Sequence, residues 1–250
     1  MSLGIRAGMR RLPFDRAAPV DPIVAELEEV RRRQKLYEVL EPRFNQIAER
    51  CFDPTQSSKP LQIVAVSSAV SGEGTTTVAT GLAAAAARNI GGEALLIETN
   101  VAKPVLARDF DVDETPGLAQ YLDGTADIEQ IIRRTRGAWL LPSGSYAANP
   151  GPLLRSERMD QLFDSLRGLF AAVVLDVPPL LTNAHAPLLV RRGDAFIMTC
   201  RAGSTHSGDV RRAIESAGDV ELRGLILNRT RNWVPRWLAR ASGMTASNLD

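Results

Sequence analysis

The sequence predicts an α/β fold: a mostly parallel sheet with helices on both faces, preceded by an N-terminal helical extension. Three observations predict it. Short apolar runs alternate with helical stretches from Leu61 onward. The first of these runs leads through a glycine-containing loop straight into a helix. The composition, 44% apolar and 24% charged, suits one packed soluble domain rather than a disordered or membrane-embedded chain.

The elements follow in order. Residues 1–20 carry Arg6, Arg10, Arg11 and Arg16 among small residues and prolines, and read as a disordered basic N-terminus. Residues 21–60 read as a helical extension and linker. Asp21-Pro22 is a helix start, an N-cap acid followed by proline at the first helical position. Ile23, Leu27, Val30, Tyr37 and Leu40 recur at helical spacing, which predicts an amphipathic helix to about Leu40. Its apolar stripe lies outside the sheet domain and is a candidate partner surface. Glu41-Pro42 predicts a second, short helix to about Arg50, and Asp53–Pro60 a linker.

Residues 61–230 hold the α/β domain. Ile63–Ser67, Ala94–Ile97, Val173–Asp176, Ala195–Cys200 and Leu222–Leu227 are short runs rich in β-branched residues and leucine. Thr75–Arg88, Leu118–Tyr121, Asp127–Arg134, Ser156–Leu169 and Ser207–Ala217 read as helices between them. Right-handed crossovers of this kind build a parallel sheet buried on both faces. Cys200, inside the run Phe196–Cys200, is expected in the core. Residues 231–250 form an amphipathic tail in which Trp233 and Trp237 alternate with arginines, suited to a membrane interface or a docking partner.

Between the first strand and the first domain helix lies Ser68-Ala-Val-Ser-Gly72-Glu-Gly74-Thr75-Thr76-Thr77. Glycines let a backbone curl until its N–H groups converge, and the following helix start adds positive dipole. Gly72, Glu73, Gly74, Thr75, Thr76 and Thr77 are therefore the candidate phosphate-binding residues of a P-loop NTPase-like domain. Compared with the pattern G-x-x-x-x-G-K-[ST], Ala69 takes the first glycine position, Thr75 stands where lysine would be, and Thr76 supplies the hydroxyl that would face magnesium. The bland alternative is a turn that merely caps a helix.

From about Leu61 to Asn228 the chain resembles the cytoplasmic domain of bacterial tyrosine kinases, the partners of polysaccharide co-polymerases in capsule and exopolysaccharide systems. Ser68–Thr77 resembles that family's loop. Ala94-Leu-Leu-Ile-Glu98-Thr-Asn100-Val-Ala-Lys103-Pro104 resembles its second acidic motif. Gly117–Gly124, Leu141–Gly144 with Asn149–Glu157, Val174-Leu-Asp176-Val-Pro178-Pro179 and Gly224-Leu-Ile-Leu-Asn228 are similar to four more of its segments, in the same order. The resemblance implies ATP or ADP with magnesium as cofactor. It implies Thr76 and Asp176 as magnesium-holding residues, Glu98 and Asp176 as catalytic acids, and Asn228 beside the base.

The departures fall on charged chemistry. The lysine position is Thr75, the second acid of the acidic motif is Asn100, the arginine after it is Ala102, and an aspartate after the D-x-P-P segment is His185. Lys103, inside the acidic motif, and Arg201, after the run Ala195–Cys200, are cations that could swing in to substitute. The family's clustered C-terminal tyrosines are absent, the tyrosines being Tyr37, Tyr121 and Tyr146. The oligomerisation motif is matched only loosely, by Glu29, Arg32 and Lys35. Phosphoryl transfer relies on charge stabilisation, so these losses predict a degenerate kinase kept as a regulator or scaffold of exopolysaccharide synthesis and export. It would act with a membrane co-polymerase and with other copies of itself. Two alternatives remain: an active tyrosine kinase with an unusual site, and a cell-positioning or partitioning ATPase. The latter lacks here its usual second lysine near the loop start.

Composition excludes other classes. A net charge of +1 gives no bulk attraction for nucleic acid. Two cysteines and two histidines offer neither a disulfide framework nor a metal cluster. No apolar run approaches the roughly 20 residues of a membrane span. The N-terminal arginines precede no apolar core, so the expected location is the cytoplasm, possible peripheral membrane contact aside.

Overall fold

The computed structural model of the chain describes residues 22–52, 61–146 and 149–230, with 22–36 as backbone. The expectations for the basic N-terminus, the linker 53–60 and the tail 231–250 lie outside the described residues.

The domain's first elements are the helix α1 (Pro22–Phe52), strand β1 (Ile63–Ser68), helix α2 (Thr75–Asn89) and strand β2 (Ala94–Glu98). Three short helices follow, α3 (Leu106–Asp109), α4 (Leu118–Asp123) and α5 (Ile128–Ile131). Then come β3 (Arg133–Arg134), β4 (Trp139–Leu141), α6 (Gly151–Leu154), α7 (Glu157–Leu169) and β5 (Ala172–Asp176). The chain continues through α8 (Ala186–Val190), β6 (Ala195–Arg201), α9 (Ser207–Ala217) and β7 (Glu221–Asn228). The strands form one sheet in the order β3-β4-β2-β5-β1-β6-β7. Every pairing is parallel except β3 with β4. This is the mostly parallel P-loop NTPase-like architecture expected from the sequence.

The central strands are apolar up to their carboxyl ends because both faces of the sheet are covered. Side chains alternate between two cores. On one face Ile63, Leu95, Val173 and Phe196 pack with Leu162 and Leu166 of α7 and Ala213 of α9. On the other Val64, Leu96, Val174 and Ile197 pack with Val78 and Leu82 of α2 and with Phe44, Ala48 and Phe52 of α1. Cys200 is buried, as expected.

Three expectations are corrected. Residues 22–52 form one helix rather than two, with Pro42 inside it. Proline removes one helical hydrogen bond, and burial of the following turns outweighs that loss. Secondly, the part of α1 from Tyr37 onward is not an uncovered surface. Tyr37 and Leu40 pack against the α2-side core and Phe44 is buried in it. Thirdly, the predicted helix Asp127–Arg134 ends at Ile131, and Arg133–Arg134 turns back as an antiparallel edge strand on β4.

One ion pair fixes the amino edge of the sheet. The Asp194 carboxylate accepts the N–H groups of Gln62 and Ile63 at 2.9 and 2.8 Å and meets Arg167 at 2.6 Å. Strand β1 is thus tied to the start of β6 and to α7, which sets the level at which its carboxyl end delivers the loop.

Candidate functional site

The site lies where β1 delivers its loop to α2. Ser67 at the end of β1 donates its hydroxyl to the Pro178 carbonyl at 2.9 Å, and Leu180 N–H reaches the Ser68 carbonyl at 2.8 Å. The Asp176–Pro179 segment is thereby stitched alongside the loop. Gly72 and Gly74 adopt φ of 85° and 93°, left-handed values that favour glycine. Gly74 also has no room for a side chain, because a β-carbon there would overlap the Asn228 amide.

The loop divides into two halves. In the first, the buried Glu73 carboxylate folds back. Its Oε2 accepts Ala69 N–H at 2.9 Å and Val70 N–H at 3.1 Å, and its Oε1 accepts the Thr205 hydroxyl. Those two amides are taken. In the second half, the N–H groups of Gly72, Glu73, Gly74, Thr75, Thr76 and Thr77 meet no acceptor among the described residues. They form a convergent set of donors at a helix start, which suits phosphate oxygens. Thr75 and Thr76 are half-buried at the head of α2.

Asn228 ends β7 beside the loop. Its Nδ2 donates to the Glu73 carbonyl at 2.9 Å, and its Oδ1 accepts Arg229 N–H at 2.8 Å. It acts here as a brace on the loop.

Two acids sit side by side under the loop. Asp176 and Glu98 end adjacent parallel strands and are direct neighbours in register. Both are buried. Burial pushes the Asp176 carboxyl up to about 7; the Thr76 hydroxyl opposes the shift and the Glu98 charge adds to it. Glu98 is also raised, chiefly by burial, against the pull of the Val105 and Leu106 amides. Its Oε1 accepts those amides at 2.5 and 2.9 Å and so caps α3. Its Oε2 is buried without a hydrogen-bond partner. The Ser143 amide also attracts the Glu98 charge but falls short of hydrogen-bond geometry. An orphan carboxylate oxygen beside a second acid is a demand for a cation or a proton. Together with the open amides, these residues fit a magnesium-bound nucleotide, with Thr76, Asp176 and Glu98 on the metal side.

The remaining predicted positions are spread out. Lys103 is exposed in the turn after β2, and Asn100 is half-buried before it. His185 is half-buried as the N-cap of α8 and stands over Gly151, where a β-carbon would crowd its ring. Thr99 and Thr205 were not singled out by the sequence. Thr99 donates its hydroxyl to the Asp176 carbonyl at 2.7 Å and locks the two acidic strand ends together. Thr205 ties the β6–α9 turn to Glu73. The available signal was their place: both follow strands at the carboxyl edge, where parallel sheets bind ligands.

No protein-family model matches the chain. It is 32% identical over 179 residues to the tyrosine-protein kinase CpsD of Streptococcus agalactiae serotype III, covering 69% of this chain and 76% of that one. Its fold superposes on the VpsO kinase domain with a TM-score of 0.71 and 26% identity, over 82% of this chain and 98% of that one. The septum site-determining protein MinD of Pyrococcus horikoshii, complexed with Mg-ADP, shares the fold at a TM-score of 0.55 and 23% identity, over 72% and 76% of the two chains. With sequence relatives, fold and order of motifs in agreement, the chain belongs to the bacterial tyrosine-protein kinase family.

Proposed function

We propose that this protein is a nucleotide-responsive regulator of exopolysaccharide assembly, derived from a tyrosine kinase and inefficient at phosphoryl transfer. One observation carries the reading. The amides at the head of α2 and the two buried acids are kept, while Thr75 fills the position of the charge-neutralising lysine. A site with donors and metal-side acids but no loop lysine is suited to hold a magnesium nucleotide. It is poorly suited to stabilise charge moving between phosphate oxygens. The resemblance to kinases of capsule and exopolysaccharide systems supports a membrane polysaccharide co-polymerase as partner, at the inner face of the membrane. Among the described residues no helix is long and apolar enough to cross a bilayer.

Calorimetry with Mg-ATP tests the reading. The unaltered chain is expected to bind saturably, and Asp176→Ala to lose binding by about tenfold or more. Tyrosine phosphorylation should be at background in the unaltered chain and rise in Thr75→Lys. Absence of binding at millimolar nucleotide overturns the proposal. Rapid phosphorylation by the unaltered chain favours the active-kinase reading, which the retained Glu98–Asp176 pair supports.

A further inference from the structure

A nucleotide's terminal phosphates need a cation, and the loop offers only the neutral Thr75. The frame of β6 shows where another one stands. Along that strand Ala195 and Ile197 face the α2-side core, while Phe196, Met198 and Cys200 face the opposite one. Strand alternation puts Arg201, the last residue, on the α2 side. Strand β6 lies next to β1, with Thr199 level with Ser68, so Arg201 extends beyond the point where the loop begins.

Both flanks of Arg201 touch the loop. Arg201 is in register with Asn228 on β7, and in-register neighbours on adjacent strands stand about 5 Å apart with side chains on one side. The Asn228 amide is in contact with the loop, through the Glu73 carbonyl and against Gly74. On the other flank, Arg201 N–H donates to Thr205 Oγ1 at 2.8 Å, and the Thr205 hydroxyl donates to the Glu73 carboxylate. The Arg201 residue is exposed, and its guanidinium has no hydrogen bond or ion pair among the described residues. Lys103, by contrast, follows β2, which is separated from β1 by β5.

We propose that the Arg201 guanidinium supplies to the nucleotide's terminal phosphates the positive charge that a loop lysine would carry. The inference rests on the nucleotide reading above and names the phosphate-binding cation of that site. Guanidinium suits the role, since its planar fork matches phosphate oxygens and it stays charged at every working pH. It approaches from the flank rather than from the helix head. It therefore secures bound phosphate without occupying the place from which a loop lysine would follow the charge during transfer.

The test measures Mg-ATP and Mg-ADP affinity of the full chain by calorimetry at two salt concentrations. Arg201→Ala should weaken Mg-ATP by about tenfold or more and flatten the salt dependence, while Arg201→Lys keeps most of the affinity. Adding Thr75→Lys to Arg201→Ala should restore binding, because the two cations would serve the same phosphates. A merely structural Arg201 would not be rescued by charge placed on another element. Unchanged affinity in Arg201→Ala overturns this proposal and leaves the nucleotide reading standing. Loss in Arg201→Ala without rescue by Thr75→Lys, or equal loss in Arg201→Lys, also overturns it. No binding by the unaltered chain removes both.

Discussion

Asp176 is held against its own charge. A carboxyl with an ordinary value near 3.8 is pushed to about 7 by burial, and the folded state therefore binds an extra proton between those pH values. Where the folded state binds more protons, stability falls as pH rises. The chain without nucleotide should lose stability between about pH 4 and pH 7, by an amount on the order of a few kcal/mol, and then level off. Asp176→Asn removes the charge but keeps the shape. It should come closest to the parent at pH 4.5 and exceed it most at pH 8 in denaturant midpoint. An equal difference at both pH values would show that the buried charge is not the cause. At this scale the sequence was informative about identity and silent about partners. Thr75 could be placed by the loop pattern, and Asn100 and Asp176 by the resemblance to the family's acidic segments. The fold-back of Glu73 onto Ala69 and Val70 is a local turn that spacing does not announce, and its grip by Thr205 joins residues 132 apart in the chain.

Helix α1 shows how packing overrides local signals. Glu41-Pro42 reads as a helix boundary, yet the helix runs through it because Phe44, Ala48, Cys51 and Phe52 are buried in the α2-side core. Gly81 of α2 lets the Phe44 ring approach so closely that a β-carbon would collide with it. Phe44→Ala should cost about 3 kcal/mol in denaturant unfolding, the usual range for an emptied aromatic site. It should also expose Cys51. Burial pushes that thiol up to about 11, against the pull of Arg223, so it is protonated and shielded at neutral pH. Alkylation at pH 8 should be slow in the parent and several-fold faster in Phe44→Ala. Equal rates would mean that the two buried groups open independently. The periodicity of residues 23–40 disclosed a helix with an apolar stripe but not what would cover it. The edge strand β3 and its neighbour β4, of two and three residues, were illegible because they are too short to carry a period.

At the scale of the whole molecule, the parallel sheet was legible because buried central strands must be apolar on both sides. The strand order was not, since no local feature of β6 or β7 announces which edge it joins. That order decides the site: β6 beside β1, with β7 outside it, brings Thr205, Arg201 and Asn228 to a loop built more than a hundred residues earlier. Nucleotide should therefore brace the molecule as well as occupy it, linking β1, α2, β5, β6 and β7 through one ligand. At a hundred times its dissociation constant a ligand adds about 2.7 kcal/mol. For a domain of this size that corresponds to a rise in melting temperature on the order of 5–10 °C. For a regulator that reads nucleotide without spending it, Mg-ADP and Mg-ATP should give comparable rises, both lost in Asp176→Ala, while ATP remains unhydrolysed through the scan. A rise with Mg-ATP that decays as ADP and phosphotyrosine accumulate would mark a working kinase, and the thermal profile beside a phosphate assay separates the two.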